Sequence, residues 1–181
     1  MRALSIVLTM AVCTIVSSPD LPAQAIAFSQ HGVVTQVVGL TEMTVTYNRP
    51  VARGRVLFGP DGVVKWGKVW HPGADSATRI AFSRDVIFEG KPLARGEYTL
   101  WLIPEATGPW TVIVSRAAHV YHQPYPGEAD DVFRVTVPIA ASDHMETLAY
   151  YFPIVARDST VLRLHWGTMV LPLHIRAPLE P

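Results

Sequence analysis

The sequence predicts an all-β fold: a single-domain β-sandwich, Ig-like or jelly-roll-like, preceded by an N-terminal signal or anchor segment. Three observations carry that expectation. Apolar side chains recur at every second position in short runs, which is the alternation of a half-buried strand. The 15 prolines and 12 glycines of the 181 residues fall between those runs, as the turns of a β-rich fold do. No segment sustains a helical period; "SRAAHVYH" (Ser115–His122) offers the one place for a short helical turn.

The N-terminus comes first. Arg2 is followed by the apolar run "ALSIVLTMAVCTIV", which Ser17, Ser18, Pro19 and Asp20 break, and Ala23-Gln24-Ala25 fits the small-x-small cleavage rule. Residues 1–25 therefore read as a signal peptide. Left uncleaved they would be a membrane anchor, although the run is short against the ~20 residues of a spanning helix. Residues 26–181 form the β-sandwich domain, placed in the periplasm or secreted. Cys13 is the only cysteine and falls inside the leader, which rules out disulfides, thiolate nucleophiles and cysteine-built metal sites in the mature domain. Val12 is not the small residue that lipidation of Cys13 would want.

The strands follow in order. "EMTVTYNRP" alternates around Val45 and Tyr47. "DVIF" and "KPL" are joined by the tight turn Glu89-Gly90, and Gly96 opens "EYTLWLIP". That run sets Tyr98, Leu100 and Leu102 on one face and Thr99, Trp101 and Ile103 on the other. "WTVIVS" and "VFRVTVP" alternate likewise, and "METLAYYFP" aligns Leu148, Tyr150 and Phe152. "STVLRLHW" and "MVLPLHI" flank Gly167-Thr168, which reads as a two-residue hairpin turn. Pairing Trp166 with Met169 in that hairpin gathers Leu162, Leu164, Leu171 and Leu173 on one face.

Composition excludes some functions. Acidic and basic residues are equal at 15 each, so no charge excess points to nucleic acid. A glycine-rich phosphate loop, a dinucleotide fingerprint and a G-x-S-x-G elbow are all lacking. Among the histidines, the expected hairpin separates His165 from His174 by about 13 Å, too far for one ion. His119 and His122 would converge on a helical turn, and Glu128, Asp130 and Asp131 could complete a shell for a divalent metal such as zinc. No HExxH-type spacing supports that set, and a solvated polar loop is the plainer reading. No cofactor is otherwise expected.

The binding features are more informative. Trp66, Lys68 and Trp70 would share one face of an extended run, a surface able to stack a sugar or a flat partner group. Arg49, Arg53 and Arg55, with Lys65 and Lys68, form a basic cluster that could meet an acidic partner or pair internally, for instance with "EADD". Tyr121 and Tyr125 sit in the stiff loop "VYHQPYPGE", a plausible docking surface. In "KVWHPGADSAT", His71 and Asp75 flank a Pro-Gly pair and read as turn-builders before they read as a catalytic pair.

Together "YNRPVARGRVLFG", "WGKVWHPGADSAT", "KPLARGEYTLWLIP", "WTVIVS" and "LRLHWGTMVLPL" resemble the bacterial secreted proteins grouped as domain of unknown function 2911. The resemblance runs through about residues 30–175. It implies a secreted or envelope β-sandwich and brings no established activity. Many members carry Arg-Thr-Gly-Ala-Asn where this chain has His71-Pro72-Gly73-Ala74-Asp75, which speaks against a shared catalytic role for His71.

The expected function is thus a non-catalytic binding or interaction domain of the cell envelope. Its partner would be a protein, for instance within a respiratory or photosynthetic membrane complex, with membrane contact only through residues 1–25. The alternative is a metal-dependent hydrolase or carbohydrate-active protein using His119, His122 and the nearby acids.

Overall fold

A computed structural model describes residues 28–179; the expected leader or anchor at residues 1–25 lies outside the described residues. Ten strands form two antiparallel sheets. They are β1 (Gln30–Val38), β2 (Thr41–Arg49), β3 (Arg79–Phe82), β4 (Val86–Phe88), β5 (Lys91–Leu93), β6 (Gly96–Ile103), β7 (Trp110–Ser115), β8 (Asp131–Val137), β9 (Ala140–Val155) and β10 (Ser159–Arg176). The larger sheet runs β1-β2-β3-β6-β7-β8 and the smaller β5-β4-β10-β9. The all-β sandwich expectation holds.

The core lies between the sheets, and period-two patterning supplies it. Met43, Val45 and Tyr47 come from β2, Tyr98, Leu100 and Leu102 from β6, and Leu148 and Tyr150 from β9. The Glu89-Gly90 turn joins β4 to β5 as expected, with both residues at positive φ, 46° and 75°.

Two local expectations need correction. Gly167-Thr168 is not a hairpin turn: β10 runs through it without a break from Ser159 to Arg176. Gly167, at φ 58°, instead flips the phase of one long strand. Leu162, Leu164 and Trp166 point into the core before it, and Leu171, Leu173 and Ile175 after it. Register shifts flank Gly167 on both sides of its pairing with Met145. His165 and His174 are therefore nine positions apart on one strand, roughly 30 Å at ~3.3 Å per residue. Likewise Ser115–His122 forms no helical turn, and the short 3-10 turn falls at Glu128–Asp130.

The segment between β7 and β8 does something periodicity does not announce. It folds back as a strap, residues 116–127, across the outer face of β6 and β7. Ala77, Trp101 and Ile113 are buried there in a second small core, with Val120 and Tyr125 packed on them. This explains why β6 is buried on both faces. The core side carries Tyr98, Leu100 and Leu102, and the strap covers Trp101.

Candidate functional site

Where the strap meets the loops after β2, a half-open cleft of about 400 Å³ forms. Its walls include Trp70, His71, Trp101, His122, Tyr125 and Trp166. The floor begins with the 71–78 turn. Pro72 offers its carbonyl to two buried hydroxyls, Thr78 Oγ1 at 2.9 Å and Tyr150 Oη at 3.0 Å, so the turn is tied to both β9 and the start of β3. Asp75 takes positive φ, 59°, and its carboxylate accepts from Asn48 Nδ2 at 3.0 Å. The turn-builder reading of Asp75 fits this geometry.

Asp75 also docks the strap. Its carbonyl accepts from the His122 backbone N–H at 3.0 Å and lies 2.6 Å from His122 Nδ1. A carbonyl only accepts, so Nδ1 carries a proton, and in the neutral ring Nε2 holds the lone pair. Further along the strap, the Tyr125 hydroxyl donates to Asp131, which also receives Arg134 Nε at 2.7 Å. Burial, reinforced by the bond to Asp131, pushes the Tyr125 phenol up to about 12. Trp101 stands edge-on to Tyr125, ring centroids 5.2 Å apart, and its Nε1 donates to Thr99 Oγ1.

His71 is the group that sequence reasoning undervalued. It is only 5% exposed, stands edge-on to Trp101 and lies 5.8 Å from the His122 ring. Its Nε2 is buried with no hydrogen-bond partner among the described residues. Burial first, and then the neighbouring His122, lower its pKa to about 4 against the pull of the Ser76 backbone and Asp75, so the imidazole is neutral at physiological pH. Gly73 is what lets it sit there: a Cβ on Gly73 would fall 2.9 Å from His71 Nε2 and 2.6 Å from Thr78 Oγ1. The sequence signal was Gly73 itself, two residues after a histidine and set between Pro72 and Asp75.

The other expected site residues divide. Trp66, Lys68 and Trp70 do not share a face, because Gly67 at φ 66° turns the chain between the two tryptophans. Trp66 stacks on Phe58 at 5.9 Å and Trp70 on Trp166 at 6.1 Å, so both rings join the core while Lys68 stays exposed. Arg49 and Arg55 spend their guanidinium groups on backbone carbonyls: Arg49 on Leu148, Arg55 on Ala52 and Val51. Arg53 lies over the Phe28 ring at 4.7 Å. The acidic "EADD" segment pairs with Arg134 rather than with this cluster, through Glu128 and Asp131. Tyr121 is exposed on the strap, with its ring 4.3 Å from that of His122.

His119 and His122 do not converge as a helical turn would have made them. His119 faces a separate groove beside β3, where its Nδ1 accepts from Arg79 and its Nε2 lies 3.0 Å from Glu97. His122 belongs to the cleft with His71. Glu128 is held by Arg134, and the Asp130 carbonyl receives the Arg116 backbone N–H. His119, His122 and Glu128 thus have separate side-chain partners, and no group of three or more His, Cys, Asp or Glu able to hold a metal occurs among the described residues.

Fold and site define a two-sheet antiparallel β-sandwich with a strap-bounded aromatic cleft at one end. The chain belongs to the family described as protein of unknown function (DUF2911), whose family model matches residues 29–175. No curated protein and no solved structure matches it.

Proposed function

We propose that the protein is a non-catalytic binding domain of the cell envelope that receives part of a protein partner in the cleft between the strap and the 71–78 turn. The observation that carries this reading is the character of the cleft. Four aromatic side chains and two imidazoles wall a volume of about 400 Å³, suited to one or two inserted side chains. The polar atoms turned on the walls are largely committed: the Tyr125 hydroxyl to Asp131, Trp101 Nε1 to Thr99, and His122 Nδ1 to Asp75. An aromatic cleft of this kind recognises shape and apolar surface, with His71 Nε2 left as its one buried polar atom without a partner among the described residues. Tyr121, exposed on the strap beside His122, extends that surface outward. Residues 1–25 would hold the domain at the membrane, on the outer face of a larger assembly.

Purification of the full chain from native membranes in mild detergent tests this. A stoichiometric protein partner is expected, and it should be lost from Tyr121→Ala and His122→Ala chains that melt like the parent. Recovery of the chain alone and only from the soluble fraction would sink the reading.

A further inference from the structure

The two sheets have four edges among the described residues: β1, β8, β5 and β9. Proteins blunt such edges, because a row of unpaired N–H and C=O groups is a template for another strand. Three of these are blunted. β5 is three residues long and carries Lys91 and Pro92. β8 opens on Asp131 and carries Arg134. β9 is interrupted by register shifts, contains Pro153, and is covered in part by the segment after β2, whose Pro50 carbonyl and Ala52 N–H bond Leu148 and Glu146.

β1 has none of these devices. Its sequence, QHGVVTQVV, contains no Asp, Glu, Lys, Arg or Pro, and it pairs with β2 in unbroken register over its whole length. The direction of its backbone follows from its partner. Glu42, opposite Val37, directs its N–H to Ser83 Oγ and its C=O to the Ser83 N–H, so it has no backbone bond left for β1. Val37 therefore turns its own N–H and C=O to the outer edge, and by the two-residue alternation Thr35 and Val33 do the same. Among the described residues, the one partner on these groups is local, Gln36 Nε2 donating to the Val37 carbonyl at 2.8 Å. The side chains of Val33 and Val37 stand on the outer face, 57% and 54% exposed.

We infer that β1 pairs antiparallel with β1 of a second copy of this chain, joining the two larger sheets edge to edge about a twofold axis at Thr35. In that register Val33 lies opposite Val37 of the second copy, Thr35 opposite its own equivalent, and Val37 opposite Val33. Each of these positions presents an outward N–H and C=O to the like position of the other strand, so the backbone ladder closes. The exposed valines pack against each other and not against a charge. The occupant is a second copy because the edge is self-complementary in this register and carries no charge for the copies to repel with. The contact is isologous and closes on itself.

Two double variants of the full chain in mild detergent test it by sedimentation equilibrium. Val33→Lys with Val37→Lys sets like charges opposite one another twice, and should weaken dimerisation by about tenfold. Val33→Lys with Val37→Glu sets lysine opposite glutamate twice and should dimerise like the parent chain. Within one chain, Glu42 opposite position 37 biases the comparison the other way, favouring lysine there. A difference in the expected order therefore arises between chains. A parent chain that stays monomeric at every concentration, or two double variants weakened alike, would overturn the proposal.

Discussion

The imidazoles of His71 and His122 face each other across the cleft, ring centroids 5.8 Å apart and planes within 26° of parallel. One ring is carried by the turn before β3 and the other by the strap. The pair is therefore the point at which two segments distant in sequence meet. Burial, with His122 beside it, keeps the His71 ring uncharged at physiological pH, so the two rings meet without like-charge repulsion.

The first prediction follows from this burial. His71 is lowered from the ordinary 6.5 to about 4 in the folded protein, so between those values the unfolded chain binds the extra proton. Its contribution to stability is fully present above about pH 6.5, is lost as the pH falls toward 4, and changes no further below that. The loss amounts to roughly 3 kcal/mol. Urea melts at pH 7, 5 and 4 should show this slope in the parent chain and a shallower one in His71→Phe. Equal slopes would mean that His71 is not the group titrating.

Gly73 makes the second. Replacing it with alanine drives a methyl group to within 3 Å of both Thr78 Oγ1 and His71 Nε2, and Thr78 is already fixed on the Pro72 carbonyl. Gly73→Ala should cost about 1–3 kcal/mol, the range for overpacking a filled site. Thermal melting measures the cost, and the Trp101 environment, read by near-ultraviolet circular dichroism, should change with it. An unchanged melt would show that the turn relaxes freely.

Gly167 supplies the third. Its φ of 58° is unfavourable for a side chain, and a Cβ there would lie 2.8 Å from Leu57 Cδ1. Gly167→Ala should destabilise by about 1–3 kcal/mol, whereas Gly90→Ala, at similar φ but with open space around its Cβ, should cost less. If the two variants melt alike, the contact with Leu57 carries no weight.

The segment around Gly167 shows how far local pattern reaches. Leucines alternate on both sides of it and change phase across it. A two-residue turn and a phase flip within one strand both produce that pattern when glycine stands at the switch. The alternation identified the inward side chains Leu162, Leu164, Leu171 and Leu173. It could not tell whether the second set returns beside the first or continues past it. That depends on the neighbouring strands: β9 pairs with β10 across Gly167, from Thr160 to Val170, and β4 takes Ile175 and Arg176 beyond it.

Trp66 and Trp70 teach a related lesson. The two are four positions apart, an even spacing that by itself puts them on one side of an extended chain. Gly67 turns the backbone between them, and the apolar surfaces of Phe58, Trp110 and Trp166 supply better contacts than water does. Packing took precedence over a shared exposed face.

What the sequence determined by itself is the class of fold and the inward face of most strands. Side-chain alternation is a property of the local backbone, and turn residues act within a few positions. What only the tertiary structure decided is the cleft. His71, Asp75 and His122 come together because the strap must cover Trp101 and Ile113, two apolar side chains on the sheet face turned away from the main core. The need to bury that second face brings residues nearly fifty positions apart into contact. Periodicity within any one strand holds no record of which distant segment will do the covering.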